Sequence, residues 1–285
     1  MKLLSLVHDV LRGAEGLLFG PALDTVTSTG TAIGNALAAL TINAGDSFTV
    51  KNANLNSDVW MLNFWADVQL AGIARIRSPK LHENTDAIRS RTLINSLDPL
   101  MPWGYPQRLT PQDTLIVELQ GSTTAGQIES IQQLIYYADL PGQNARFLTP
   151  DALRQRLKNH FGNRIAITTG TTAAYAGSLA INNAVDLLKA NTDYAVLGMT
   201  SDLRVAGVSL RGPDTGNLRV TVPGGTNVLG ALRYGADWFR WLSIAYGLAL
   251  IPVINSANKG GTQIDCMGDN NGGTANVTIW LAELG

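Results

Sequence analysis

Asp67-Val68-Gln69-Leu70-Ala71-Gly72-Ile73 recurs downstream as Asp202-Leu203-Arg204-Val205-Ala206-Gly207-Val208. Asp, Ala and Gly keep their places, and aliphatic residues answer aliphatic residues. Arg77-Ser78-Pro79 then matches Arg211-Gly212-Pro213, one residue earlier in the second copy. Upstream, Thr29-Gly30-Thr31 leads to Leu40-Thr41-Ile42-Asn43, as Thr169-Gly170-Thr171 leads to Leu179-Ala180-Ile181-Asn182. Near the two ends, Tyr137-Ala138-Asp139-Leu140 answers Leu281-Ala282-Glu283-Leu284. The offsets are 140 and 139, then 135 and 134, then 144, and the anchors stay in order. Self-similarity at one long period marks a repeated structural unit, and drifts this small are loop-sized. The chain reads as an internal duplication.

Each copy reads as β. Leu115, Val117 and Leu119 alternate with Thr114, Ile116, Glu118 and Gln120, the period of a strand with one apolar face. Ile131 to Tyr137, Leu218 to Val222 and Asn276 to Leu281 are extended in the same way, and the second of these ends at the turn signal Pro223-Gly224-Gly225. Short strands separated by Gly and Pro turns suit a sandwich or jelly roll.

Two helices interrupt this pattern. Thr149-Pro150-Asp151 supplies an N-cap, a proline at the first helical position and an acid at the positive end of the dipole. Leu153, Leu157 and Phe161 then share a face, and Gly162 is the expected stop. At the N-terminus Leu3, Leu4, Val7, Leu11, Leu17 and Leu18 form an apolar stripe, with Lys2, Asp9, Arg12 and Glu15 largely off it. The predicted fold is all-β: a tandem double jelly roll, two β-sandwich copies, with an N-terminal amphipathic helix and a helical linker. Its boundaries are 1–26 for the helical arm, 27–142 for the first jelly roll, 143–163 for the linker and 164–285 for the second.

The 285 residues suffice for two ordinary cores. Charged residues make up only 15%, below the usual quarter of a soluble chain, as expected if neighbouring subunits cover much of the surface. A net charge of −1 asks for neither nucleic acid nor acidic lipid. His8, Asp9 and Arg12 interrupt the first apolar run, so no signal peptide is expected. Trp238 to Ile254 carries Arg240 and Pro252, which makes it too short and broken to span a bilayer.

Catalytic signatures are missing from the sequence. It has no phosphate-binding glycine loop and no Gly-x-Ser-x-Gly elbow. Its three histidines, His8, His82 and His160, lie far apart. His82-Glu83 with Asp86 reads as a solvated loop rather than a metal fragment, and Asp265 to Gly273 lacks calcium-loop spacing and the closing Glu. Cys266, the only cysteine, has no neighbouring base and reads as a buried or incidental thiol. Glu118 and Glu129 are the pair a glycosidase would need, but solvent-facing residues on half-buried strands are the better reading of both. Trp60, Trp65, Trp103, Trp238, Trp241 and Trp280 suit core or interface anchors better than a sugar platform. No catalytic residue, metal or cofactor is expected.

Two tandem β-sandwich copies, a short helix between them and an amphipathic N-terminal helix resemble the double-jelly-roll major capsid proteins of tailless icosahedral viruses, bacteriophages among them. The resemblance is architectural and spans nearly the whole chain. It implies a non-enzymatic coat subunit, found in the virion and made in the host cytoplasm. Three chains would form a six-lobed, pseudo-hexameric homotrimer that tiles a shell. Further partners would be minor capsid or membrane proteins and an internal lipid membrane, met on the inner face through Leu3, Leu4, Val7, Leu11, Leu17 and Leu18. No sequence-specific nucleic-acid binding is implied. The alternative is a carbohydrate-binding or carbohydrate-active tandem jelly roll.

Overall fold

The structure is a computed structural model that describes residues 19–31, 34, 36, 38–39, 47–51, 57–81, 85–92, 99–125, 128–141, 145–169, 175–181, 188–203, 205–224, 235–268 and 272–285. Among the described residues the first half holds nine strands: β1 (Phe19–Thr31), β2 (Ala38–Ala39), β3 (Ser47–Thr49), β4 (Val59–Asp67), β5 (Ile73–Arg77), β6 (Ile88–Arg91), β7 (Gln107–Leu109), β8 (Thr114–Gln120) and β9 (Ile128–Pro141). They form two sheets, β1-β9-β4-β7 and β2-β8-β5-β6, with β3 also on β8. Every pairing is antiparallel.

The second half repeats this plan. After β10 (Phe147–Leu148) and helix α1 (Pro150–Arg156) come β11 (Leu157–Thr169), β12 (Tyr175–Ala180), β13 (Asp193–Ser201), β14 (Val205–Arg211) and β15 (Val220–Pro223). Helix α2 (Trp238–Tyr246), β16 (Ile251–Asn255), β17 (Gln263–Gly268) and β18 (Gly273–Leu284) complete it. The sheets are β10-β16-β13-β18-β11 and β12-β17-β14-β15. If β2 and β3 count as one strand, both halves pair their first strand with the eighth, the eighth with the third and the third with the sixth. Both also pair the second with the seventh, the seventh with the fourth and the fourth with the fifth.

Details of register repeat as well. Asp67 ends β4 and Asp202 directly follows the equivalent β13, but in β5 and β14 the sequence match of Gly72 to Gly207 slips by one residue, Gly72 answering Ala206. Thr92 N–H donates to Gly72 O at 3.0 Å, as Gly224 N–H donates to Ala206 O at 2.9 Å. Both third strands carry a bulge, at Met61/Asn63 and at Val196/Gly198. These bulges face Leu134-Ile135 and Trp280-Leu281, which equates Ile135 with Leu281. The sequence match of Tyr137 to Leu281 therefore slips by two residues. A slip of two keeps every side chain on its own face, so alternation alone cannot detect it.

Alternation places the cores. Leu115, Val117 and Leu119 are fully buried, each worth about 1.5–3 kcal/mol in apolar burial, and they meet Val59, Met61, Phe64, Ile131 and Ile135. Strand β11 alternates cleanly from Asn163, with Ile165 and Ile167 inside and Arg164, Ala166 and Thr168 outside.

The structure corrects three expectations of extent. Strand β1 begins at Phe19, so residues 19–26 belong to the first sheet and not to a helical arm. Thr149 caps α1 as expected, accepting from Ala152 N–H, but the helix ends at Arg156. Leu157 and Phe161 lie instead in β11, because pairing with the last strand offers a full ladder where one more helical turn would cover little apolar surface. The second half thus begins before residue 164, and β10 ties the linker to β16. Helix α2 was unforeseen.

Candidate functional site

The outer face of β1-β9-β4 is covered by the second half. Leu23, Leu62, Trp65 and Leu134 join the second half's apolar cluster. Thr25 N–H donates to Arg219 O at 2.7 Å, and Thr221 N–H donates to Thr25 Oγ1 at 3.1 Å. Gln132 Nε2 donates to Ala206 O at 2.5 Å, and the Tyr175 hydroxyl lies 3.3 Å from Thr27 Oγ1 and 3.2 Å from Thr221 Oγ1. Gly207 allows this approach, since a Cβ there would stand 2.7 Å from Gln132 Nε2 and 2.9 Å from Thr221 Cγ2. Arg219 stacks 4.1 Å over the Tyr175 ring and pairs with buried Asp265 at 2.9 Å.

One end of this seam is aromatic. Trp65 meets Trp238 edge-on at 5.1 Å, Trp238 lies 6.0 Å from Trp103, and Trp103 lies 5.5 Å from Trp241 and 5.7 Å from Tyr246. Asn63, fully buried at the β4 bulge, accepts from Phe64 and Met101 N–H and donates to Met101 O and Tyr246 Oη. Tyr246 in turn donates to Leu62 O at 2.7 Å. Trp65 and Trp238 are buried anchors and Trp60, Trp103 and Trp280 are half-buried, but Trp241 is 40%, Ile244 55% and Tyr105 76% exposed. The cluster therefore ends in a solvent-facing rim of aromatic and aliphatic side chains.

The candidate acid pair does not assemble. Glu118 on β8 accepts from Arg75 Nε at 2.5 Å and from Arg77 Nε and Nη2 at 3.1 and 3.2 Å. Burial alone would raise its pKa, but the two guanidinium groups outweigh that and hold it below the usual carboxylate range. Glu129 is on β9, in the other sheet, and is fully buried. Its oxygens accept backbone N–H bonds from Gln69 at 3.0 Å, Leu70 at 3.4 Å and Ser122 at 3.0 Å. Both carboxylates hold structure together. Cys266 lies in the core, where burial and then Asp265 push its thiol up to about 12. His82 and Glu83 lie outside the described residues, and Asp86 pairs with Arg89 at 2.9 Å. Leu3, Leu4, Val7, Leu11, Leu17 and Leu18 also lie outside them.

Two features escaped the sequence reading. Arg146 in the linker holds Asp193 at 2.9 and 2.5 Å, and Asn255 Nδ2 donates to the same carboxylate at 2.7 Å. The Arg146 bonds above all keep Asp193 below the ordinary carboxylate range. Only the extra charge in Ala145-Arg146-Phe147 hinted at this clamp. The other is an arginine-bearing sheet face. In Ile73-Ala74-Arg75-Ile76-Arg77 and Ile88-Arg89-Ser90-Arg91 arginines recur at every second position, the spacing that puts them on one face of a strand.

No protein-family model matches the chain, and no curated protein matches it. Among solved structures it is similar to the PBSX exported protein XepA, at 10% identity and TM-score 0.21 over 88% of each chain. It is also similar to a peptide-N(4)-(N-acetyl-beta-D-glucosaminyl) asparagine amidase, at 11% identity and TM-score 0.21, over 91% of this chain and 96% of that one. Likenesses this slight carry no argument about fold or activity.

Proposed function

We infer that the chain is a major capsid subunit: a double jelly roll that forms a pseudo-hexameric homotrimer and tiles an icosahedral virus shell. The observation that best supports this reading is the strand order, since two antiparallel sheets pair the strands in the same order in both halves, as a pair of jelly rolls would. Two similar lobes in one chain give a trimer six similar lobes, the shape a near-hexagonal lattice needs. The cluster ending in Trp241, Ile244 and Tyr105 has the aromatic character of subunit contacts. Nothing in the tethering of Glu118 and Glu129 favours catalysis. On this reading the protein belongs to the virion, and its partners are other copies, minor capsid proteins and an inner membrane met by the stripe from Leu3 to Leu18.

Native mass spectrometry with negative-stain imaging tests the coat role. Three chains, multiples of three, or shells are expected; a monodisperse monomer at micromolar concentration sinks it. Because β1 starts at Phe19, deleting residues 1–18 tests the inner-face contact without cutting the sheet. Particles should be lost or lack membrane while the melting temperature holds, whereas a large fall in melting temperature would assign the segment to its own subunit's core. The carbohydrate reading has one observation in favour, the exposed rings of Tyr105 and Trp241. A thermal shift on adding glycans would support it.

A further inference from the structure

The outer face of β8-β5-β6 presents four arginines in register. Arg75 stands opposite Arg89, and Ile73 stands opposite Arg91. Arg77 follows Arg75 on the same face, and Glu118 lies opposite Arg75 on β8. Glu118 is shared by Arg75 and Arg77, and Asp86 lies 2.9 Å from Arg89 and 3.9 Å from Arg75. Among the described residues of this face, four guanidinium groups against two carboxylates leave a surplus of two positive charges, in a chain of net charge −1. Arg91 is exposed and has no acidic partner among the described residues.

The second half shows what this face looks like when it is covered. The paired backbone bonds of Gly72 and Ala206 equate Ile73 with Gly207, Arg89 with Thr221, Arg91 with Pro223 and Glu118 with Asp265. The acid is kept in both halves, with arginines on it. The two extra arginines occur only where the second half has Thr221 and Pro223 buried at the seam.

We propose that this arginine face of the first half binds the phosphodiester backbone of a nucleic-acid strand, without reading its sequence. Residues two apart on a strand advance about 6.7 Å, the order of the separation between successive phosphates along one nucleic-acid strand. Guanidinium groups suit phosphate oxygens, which they can grip with two parallel N–H donors. Glu118 fixes Arg75 and Arg77 in place, so ordering them costs little further side-chain entropy. Among the described residues, no exposed large apolar side chain stands between the four arginines to enter a bilayer, and no aromatic ring to stack on a base, so a backbone contact fits better than lipid insertion or base readout. The proposal does not require the trimer, although three such faces on one particle would bind with avidity.

The test uses the full-length protein and a fluorescein-labelled oligothymidylate of about 30 nucleotides, read by anisotropy across a salt series. Binding is expected at about 20 mM salt, with a log–log slope of about −0.7 per phosphate contact, hence between about −1.4 and −2.8 for two to four contacts. Arg89→Glu with Arg91→Glu should weaken binding by about tenfold or more and flatten the slope. Arg108→Glu with Arg154→Glu makes the same charge change at exposed sites elsewhere and should leave most of the binding intact. The pair Arg89→Gln and Arg91→Gln gives the same reading, with smaller loss, should the double glutamate variant not fold. No binding by the parent protein, or equal binding by parent and Arg89/Arg91 variants, overturns the proposal. So does stronger binding to phosphatidylserine vesicles than to oligonucleotide at equal phosphate. Native mass on the same samples reports the coat reading separately.

Discussion

Replacing Glu129 by alanine should unfold the first half at a markedly lower temperature. The carboxylate is fully buried, and its partners are backbone donors on two loops, Gln69-Leu70 between β4 and β5 and Ser122 between β8 and β9. Gly121 leaves room for it, since a Cβ there would lie 2.0 Å from Glu129 Oε2. Two of the bonds, from Gln69 and Ser122, are 3.0 Å long and end on a carboxylate, a class worth about 1.5–3 kcal/mol each. Truncation strands both N–H groups, so the expected loss is about 3–5 kcal/mol after some repair by water. For chains of this size class each kcal/mol moves the midpoint by about 2–4 °C, giving a fall of roughly 6–20 °C. Differential scanning calorimetry at neutral pH reads this directly, and Glu129→Gln, which keeps one acceptor oxygen, should lose about half as much. A fall of less than about 2 °C for Glu129→Ala would refute the assignment. An acid free to protonate a substrate would not be tied down on both oxygens, so the same result bears on catalysis.

Gly207→Val should open the seam, because its side chain would enter space held by Gln132 and Thr221. Calorimetry should then show two transitions or an earlier first one, and an unchanged single transition would count against a tightly packed seam. Asp193 and Glu118 both have depressed pKa values, so their stabilisation is complete above the unfolded carboxyl range and is lost as pH falls through the folded values. Melting temperature should hold from neutral pH to about 5 and drop below about 4, with a shallower acid limb in Asp193→Asn; equal limbs would contradict the clamp. Cys266 should resist thiol reagents at about pH 8 in the native protein and react fully once unfolded, and rapid native labelling would contradict its burial.

The repeat and the strands were legible because alternation and collinear anchors are local signals. Leu115 to Leu119 and Ile131 to Tyr137 could be read directly, since each strand has one consistently apolar face. What the sequence hid was set by partners distant in the chain. Leu157 to Phe161 carries helical spacing, yet a ladder with residues 281–284 outweighs it. Trp238 to Tyr246 reads as a plain apolar run, because its exposed side also carries Trp241 and Ile244 while Trp238, Phe239 and Leu242 are buried. The candidate pair Glu118 and Glu129 failed for a related reason: sequence shows that both sit on strands but not that β8 and β9 belong to different sheets.

The two halves differ most where their surroundings differ, and that fixes their order at the seam. At the seam the second half presents Gly207, Thr221 and Pro223, small or uncharged residues that let Gln132 and Thr25 approach the backbone. The corresponding positions in the first half are Ile73, Arg89 and Arg91. Substituting that face at the seam would press an isoleucine where glycine is needed and bury Arg91, which has no acidic partner among the described residues, at a cost of several kcal/mol. The contact between halves is therefore directional: the sheet β1-β9-β4 of the first accepts β14-β15 of the second, and the reverse docking is penalised. The shared acid and its arginines, at Glu118 and Asp265, mark what the copies still have in common on this face. The arginines found only in the first half mark the side of the molecule that its own chain leaves exposed.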